Sequence, residues 1–281
     1  RSSWVLWDQI VWWISLSGVL TAMAGMCLGI ARFRKTTFGL SMPTPFKGWL
    51  RMHHILGLFA GIFVFTWIFS GWLSMDHGRL FSKPIPDASQ IQSFRGKSIY
   101  QAVKEISPEA FKTLGDSSEV EIFTTGGQTF VTSRSHPGLK LFKPLTPEFL
   151  SPAKIMQSEI INAVKMSWPE VKIQSTQKLG ESDIYGNLRE GSLPKNTLRV
   201  ILDDPEKTWV HIDMESGQIV SVMDKSRRLY RWLFNGLHSF DFPGLANNRP
   251  LWDVVMLFML TIGFVFSITG VVVGWKRLLK N

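Results

Sequence analysis

Four histidines stand at the ends of apolar stretches of the chain, where an ionisable side chain is costly and usually functional. His53 and His54 precede one such stretch, His77 follows it, and His238 precedes the last stretch. Imidazole at the edge of a membrane helix is a usual axial ligand of haem iron. The alternative is that all four are interfacial polar residues that bind no ligand.

The spacing of these histidines predicts two separate sites. Adjacent residues of a helix point about 100° apart, so His53 and His54 cannot both serve one iron from the same side. From His54 to His77 a helix would rise about 34 Å, which is enough to cross the hydrocarbon layer of a bilayer. His77 and His238 are expected on one face, where they could close a bis-histidine site. At the other face, near His53 and His54, this sequence provides no second histidine that could complete a bis-histidine site.

Other basic residues stand near the candidate ligands or in the outer part of the chain. Arg51, Arg228 and Arg231 are candidates for pairing with haem propionates. Their alternative role is to set topology or to contact lipid headgroups. The remaining histidines, His136 and His211, are expected to be ordinary residues without a ligand.

Three apolar stretches must position these residues, and each is long enough to cross a bilayer as a helix. They run over Trp4–Ile30, Ile55–Met75 and Leu251–Trp275. Buried helices of a soluble protein are the alternative, but three nearly uncharged stretches of this length are rare in soluble folds. The sequence therefore predicts a membrane protein with an α-helical transmembrane bundle.

The charge of the chain predicts the orientation of that bundle. The 281 residues carry a formal net charge of +9, and eight of the excess positive charges lie in residues 31–51 and 276–281. Basic residues in short loops face the cytoplasm, so both segments are predicted inside and residues 76–250 outside. A nucleic-acid-binding protein would spread its basic residues over a folded surface, so no nucleic acid partner is expected.

This topology starts the chain on the outer side of the membrane without the pattern of a signal peptide. We therefore expect a further span upstream, which would bring the bundle to four helices. The predicted division is a helix over 1–30, a basic loop over 31–51, a helix over 52–75, an α+β domain over 76–227, an amphipathic interfacial segment over 228–250, a helix over 251–275 and a tail over 276–281.

The outer domain is predicted to repeat a unit of one helix followed by antiparallel strands. Helices are predicted over Gln101–Ile106 and Ala153–Met166, the second starting near Ser151 and Pro152. A hairpin turning at Gly126 and Gly127, a strand over Val171–Gln177 and a meander of three strands over 198–223 supply the strands. No motif of a hydrolase or of a nucleotide-binding enzyme is present.

Two long stretches of the sequence resemble the PepSY-associated transmembrane family. One is Arg51–Ser82, RMHHILGLFAGIFVFTWIFSGWLSMDHGRLFS, and the other begins at Thr208 with TWVHIDMESGQIVSVMDKSRRLYRWLFNGLHSFDFPG and continues through NNRPLWD. The outer part resembles PepSY domains, a module of a helix and an antiparallel sheet. The resemblance extends from about residue 50 to the end of the chain, and it is loose over 151–200.

The resemblance implies a multi-pass protein of the bacterial inner membrane with its main soluble domain in the periplasm. Members of the family are often iron-regulated and associated with siderophore uptake, and some are similar to haem-containing ferric-siderophore reductases. It implies one or two b-type haems, with His53, His54 and His238 as iron ligands; His77 is added from geometry and from the sequence around it. The implied partners are membrane lipid, ferric iron or a ferric siderophore, and an unidentified electron donor.

Transmembrane electron transfer through haem is therefore the leading functional hypothesis. The sequence contains no motif for NAD or flavin, so the donor binds elsewhere or is a quinone. One alternative is a binding and anchoring module that inhibits or chaperones an extracytoplasmic peptidase. Another is a structural subunit of a siderophore transport complex.

Overall fold

The structure is a computed structural model that describes residues 3–33, 44–75, 81–136, 138–180, 183–186 and 191–279. The chain divides into two compact units. The first unit comprises residues 1–81 and 229–281, and the second comprises Ser82–Arg228. The first is helical, and the second is an α+β unit with a hydrophobic core of its own.

Three long helices form the frame of the first unit. They are α1 (Trp4–Ala31), α2 (Gly48–Ser74) and α8 (Arg249–Leu278). Each is long and apolar enough to cross a membrane, as the three apolar stretches predict. Helix α2 begins at Gly48, earlier than predicted. Lys47 has an extended backbone and precedes the helix, and the residues that follow Pro45 are compatible with a helix from Gly48 onward. His53 and His54 therefore lie within α2, in its second turn.

Helices α1 and α8 both pack antiparallel against α2, and glycines of α2 lie at both contacts. A Cβ at Gly61 would lie 3.2 Å from Met26 Cγ of α1, and a Cβ at Gly57 would lie 3.1 Å from Phe266 Cε2 of α8. Such small residues let helix backbones approach closely.

This arrangement brings the C-terminal ends of α1 and α8 together with the N-terminal end of α2. We call this the basic end of the first unit, because five basic residues among those that the structure describes lie in or beside these helix ends: Arg32, Lys47, Arg51, Lys276 and Arg277. We call the opposite end the distal end. The outward faces of α1 and α8 carry large apolar side chains, among them Trp13, Phe258 and Phe264, each more than half exposed. Such a surface is favourable against lipid and unfavourable in water.

A short helical segment precedes α8 in the chain. It consists of α6 (Lys225–Tyr230), which begins in the second unit, a π-helix (Arg231–Gly236) and α7 (Leu237–Ser239), and the last two pack against α2 at the distal end. Arg231, 4% exposed, donates from Nη1 to the carbonyl of Asp241 over 2.7 Å and thereby ties the segment to the chain that follows it. Phe240 adopts a left-handed backbone conformation, with φ of +52°, and ends the segment. Short π-helical segments are rare and are frequent at functional sites.

The second unit contains two antiparallel sheets of four strands, each with its strands in chain order. The strands of the first sheet are β1 (Glu119–Thr125), β2 (Gln128–Ser135), β3 (Gly138–Thr146) and β4 (Phe149–Pro152). Those of the second are β5 (Ile173–Lys178), β6 (Thr197–Leu202), β7 (Trp209–Asp213) and β8 (Ile219–Met223). The helices are α3 (Ala88–Arg95), α4 (Ile99–Lys104), a 3₁₀-helix (Pro108–Leu114) and α5 (Gln157–Ser167).

The structure confirms the predicted hairpin and meander of the second unit and corrects its helices. The predicted helix start at Ser151 and Pro152 is wrong, because both residues belong to β4, and α5 begins at Gln157. Residues 149–152 are held in a strand by pairing with β3 and by burial of Leu150, which is 2% exposed. Helix α3 and the strands β3 and β4 were not predicted, since alternation along β3 is interrupted by charged and proline residues.

Candidate functional site

His53 lies near the basic end and contacts α8. Its Nδ1 lies 2.9 Å from Thr269 Oγ1, and the Thr269 hydroxyl donates its proton to the carbonyl of Phe266 over 2.6 Å. Since a hydroxyl has one proton, a Thr269 hydroxyl that donates to Phe266 accepts from His53, and this network assigns the imidazole proton to Nδ1. Nε2 forms no hydrogen bond with any of the described residues. This neutral form, with an available Nε2 lone pair, is the one that ligates metals.

His238 lies at the distal end, where α7 packs against α2. Its Nδ1 lies 3.2 Å from Ser70 Oγ, and the Ser70 hydroxyl donates to the carbonyl of Trp67 over 3.1 Å. The same reasoning assigns the donor role to Nδ1 of His238, and Nε2 has no hydrogen-bond partner in the part of the chain that the structure describes. The Trp67 indole donates to the carbonyl of His238 over 2.5 Å, and the ring of Phe234 stacks on the imidazole at 5.0 Å. These contacts hold both backbone and ring.

His54 has a different environment from His53. Its Nε2 lies 2.9 Å from the carbonyl of Gly29, and its Nδ1 lies 2.9 Å from Thr44 Oγ1. Gly29 is in the last turn of α1, whose carbonyls have no partner within the helix. His54, 8% exposed, therefore caps α1 and ties it to α2. Both ring nitrogens are in use, so the predicted ligation of iron by His54 would require the loss of one of these hydrogen bonds.

The other predicted ligand, His77, lies outside the described residues. Arg51 is exposed at the basic end. Arg228 belongs to the second unit, where Nη1 donates to the carbonyls of Lys207 and Met223 over 2.9 and 3.2 Å. Pairing of these arginines with propionates stays a prediction, and Arg51 is the one whose side chain is open to solvent.

Arg231 forms a buried ion pair in the first unit. Its Nη2 lies 3.3 Å from Asp241 Oδ1, and the side chains of Arg231 and Asp241 are 4% and 2% exposed. A guanidinium held in this way by a carboxylate and a backbone carbonyl is committed to the fold. Its clearest role is to fix the π-helix that leads to His238.

The second unit contains a buried ionic group that the sequence analysis missed. Arg199 in β6 binds both carboxylate oxygens of Asp183, over 2.7 and 2.9 Å, and donates from Nε to Nε2 of His211 over 2.9 Å. Burial, and next the charge of Arg199, lower the pKa of His211 to about 3, so this histidine is neutral. The available signal was a lone arginine within the apolar strand LRVIL. His136, by contrast, is exposed.

Among the described residues of the first unit, the imidazoles with an available Nε2 are those of His53 and His238, which lie near opposite ends of α2. From His53 to Ser70 the helix rises about 26 Å. The described residues contain no group of three or more His, Cys, Asp or Glu side chains that could hold a metal ion. Haem iron needs only one or two imidazoles, because the macrocycle supplies the other ligands. One imidazole at each end is compatible with an axial ligand of haem iron.

No protein-family model, curated protein or solved structure matches this chain. The chemistry of the two sites is therefore judged from their own residues.

Proposed function

We propose that this protein carries electrons across a bacterial inner membrane through one or two b-type haems and reduces ferric iron or a ferric siderophore in the periplasm. The observation that carries the proposal is the relation between His53 and His238. They lie at opposite ends of one helix that is long enough to cross a membrane, and each has Nδ1 anchored and Nε2 available. A path for electrons across a membrane needs one such site at each face.

The charges of the first unit support this orientation. Basic residues next to membrane helices face the cytoplasm, so the basic end with His53 is the inner one. The distal end with His238 then faces the periplasm. The second unit lies in the chain between α2 and α8, so we propose that it belongs to the periplasmic side. The exposed apolar faces of α1 and α8 are in contact with lipid.

His53 and His238 would hold the iron through Nε2. A b-type haem, when bound, supplies a one-electron couple between ferric and ferrous iron. The chain orients each imidazole through its Nδ1 hydrogen bond and shields it with aromatic rings, Phe266 at one site and Phe234 at the other. Arg51, exposed at the basic end, is available to a carboxylate there.

Electrons would enter at the basic end and leave at the distal end. A quinol or a cytoplasmic reductant gives up one electron at a time near His53. A ferric complex in the periplasm accepts the electron near His238 and becomes ferrous, which weakens its binding to a hard-oxygen chelator. His54 would keep its cap on α1 during this cycle, because neither of its nitrogens is needed.

The first experiment is an optical spectrum of the full chain purified in detergent, together with a haem-to-protein ratio. We expect reduced-minus-oxidised bands of a b-type haem. His53→Ala and His238→Ala should each remove a different part of the spectrum or of the bound haem, whereas His136→Ala, at an exposed position, should remove none. A preparation without haem bands, after growth with added haem precursor, would contradict the proposal and leave the binding-module and transporter-subunit hypotheses.

The second experiment tests the direction and the substrate. The chain is placed in vesicles, reduced, and mixed with ferric citrate or with a ferric hydroxamate on the side of the distal end. We expect reoxidation of the protein with one ferrous ion formed per electron, captured by a ferrous-specific chelator. Reoxidation by ferric complexes from the basic end alone would contradict the proposed direction.

A further inference from the structure

The imidazoles of His53 and His238 contact the same local sequence pattern. At the site of His53 this pattern lies in α8, and at the site of His238 it lies in α2. The pattern is an aromatic residue, two further residues, a hydroxyl residue and a glycine. It reads FSITG over Phe266–Gly270, which contacts His53, and WIFSG over Trp67–Gly71, which contacts His238. We infer that Thr269 and Ser70 are positioning residues that set the tautomer of these imidazoles for iron, an inference that rests on the proposed haem function.

The hydroxyl residue of the pattern dictates which ring nitrogen carries the proton. Thr269 donates to the carbonyl three residues before it, that of Phe266, and Ser70 donates to the corresponding carbonyl of Trp67. Such a bond within the helix uses the only proton of the hydroxyl. The oxygen can then only accept, so the facing imidazole must present N–H from Nδ1. Nε2 is then left deprotonated.

The glycine and the aromatic residue set the position of the ring. A Cβ at Gly270 would lie 3.4 Å from Cε1 of His53, and a Cβ at Gly71 would lie 3.5 Å from Cε1 of His238. Each imidazole thus lies close to the helix backbone, and a Cβ at the glycine would be in van der Waals contact with it. The aromatic residue lies beside the ring, with Phe266 stacked on His53 at 4.5 Å and Trp67 tilted against His238 at 6.0 Å.

A partial copy of the pattern in α1 shows that serine and glycine alone do not make such a site. Ser17 precedes Gly18, but its hydroxyl donates to the carbonyl of Trp13, four residues before it, over 2.8 Å. A Cβ at Gly18 would meet Ile68 of α2 and no imidazole. Ser17 therefore provides a control on a third helix.

The choice of a hydroxyl has a chemical consequence for the ligand. A carboxylate that accepts from Nδ1 raises the basicity of the ligating nitrogen, as in carboxylate–histidine–metal triads. A hydroxyl is neutral and raises it less, so the imidazole stays a neutral ligand. Without the hydroxyl, Nδ1 loses this acceptor, and a larger fraction of the chains would carry the proton on Nε2, where it blocks ligation.

Nitrogen NMR of the full chain in detergent, labelled with ¹⁵N-histidine and free of haem, tests the tautomers directly. We expect Nδ1–H in both His53 and His238. Thr269→Val should let the proton of His53 move to Nε2 in part of the chains, without a change in His238. Ser70→Ala should do the same for His238, without a change in His53. The matched controls Ser267→Ala and Ser17→Ala remove exposed hydroxyls of α8 and α1 that bond only within their helices, and they should change neither. Unchanged tautomers in Thr269→Val and Ser70→Ala would overturn the inference.

Titration with haem separates this inference from the proposed function. Loss of a partner that orients a metal ligand costs about 10- to 100-fold in affinity, so each variant should lose haem at its own site only. Thr269→Ser keeps the hydroxyl and should restore haem binding, which a role of the Thr269 methyl group in packing does not predict. If His53 and His238 of the parent chain both carry the proton on Nδ1 but the chain binds no haem, the proposed function is wrong. If Thr269→Val and Ser70→Ala bind haem as tightly as the parent, the inference is wrong.

Discussion

The imidazole of His53 lies parallel to the ring of Phe266, with the ring centroids 4.5 Å apart and the planes 9° apart. The same phenyl ring is the nearest neighbour of a Cβ at Gly57, which would lie 3.1 Å from Cε2. Gly57 is one turn after His53 on α2. The missing side chain at position 57 therefore lets Phe266 occupy the place from which it supports the imidazole.

Gly57→Ala should displace Phe266 by a few tenths of an ångström and disturb the site of His53, while the site of His238 is unchanged. Gly274→Ala is the matched control, because a Cβ there meets nothing within 4 Å and both changes favour a helix equally. The measurement is the haem spectrum at each site, with the ¹⁵N shifts of His53 in the haem-free chain. Equal behaviour of the two variants would contradict the coupling.

His54→Gln separates a capping role from iron ligation. Glutamine retains an N–H for the Gly29 carbonyl but is not a haem ligand. Because His54 bonds to Gly29 and Thr44 through its two nitrogens, we expect this variant to keep its full haem content. His54→Ala leaves the Gly29 carbonyl without its partner and should lower the free energy of unfolding in detergent by about 1–3 kcal/mol. Loss of haem in His54→Gln with unchanged stability would show that His54 is a ligand.

Asp183→Asn should strongly destabilise the second unit. Arg199 and Asp183 have side chains that are 4% and 13% exposed, so the variant leaves a buried guanidinium without its counter-charge. Breaking a buried pair in this way costs about 3–5 kcal/mol. Asp203→Asn is the control, since the Lys207–Asp203 pair is exposed and its loss should have little measurable effect. Protease cleavage of the second unit along a urea titration measures both.

The stability of the second unit should fall as the pH is lowered from about 6.5 toward 3. The pKa of His211 is lowered to about 3 in the folded chain, first by burial and next by Arg199, from a value of 6.5. Between these two values the unfolded chain binds a proton that the folded chain does not. As the pH is lowered, the free energy of unfolding therefore falls by at most about 1.4 kcal/mol per pH unit because of this residue. Stability from this source is complete above about pH 6.5.

His211→Gln provides the matched variant for this pH dependence. Its side-chain oxygen accepts from Arg199 but does not titrate in this range. Urea midpoints of the second unit at about pH 7.5 and about pH 5 should differ less in the variant than in the parent. An equal difference in both proteins would show that other groups cause the acid sensitivity.

Gly96→Ala should destabilise the second unit more than Gly127→Ala. Both glycines have positive φ, +72° and +79°, which costs alanine about 1–2 kcal/mol at each position. A Cβ at Gly96 would also lie 2.4 Å from the backbone nitrogen of Gly127, whereas a Cβ at Gly127 meets nothing within 4 Å. The clash with backbone cannot be relieved by a side-chain rotation. Urea midpoints of the two variants give the comparison.

Local patterns of the sequence predicted the parts of the fold that depend on short-range preferences. Length and hydropathy identified α1, α2 and α8, and alternation around two glycines identified the hairpin of β1 and β2. Strand β4 was mistaken for the start of a helix, because its pairing with β3 is a contact between chain segments that its own four residues do not encode. The buried pair of Arg199 and Asp183 was missed for the same reason.

The sequence by itself determined that imidazoles stand at both ends of the second apolar stretch, and it singled out His53, His54 and His238. It could not distinguish His53 from His54, which are adjacent and identical in type. The tertiary structure gives them different hydrogen-bond partners, because residues one apart on a helix point about 100° apart. His53 meets a hydroxyl of α8 that accepts its Nδ1 proton, and His54 meets a carbonyl of α1 that takes its Nε2 proton. Which nitrogen remains available for iron is therefore a property of the neighbouring helix.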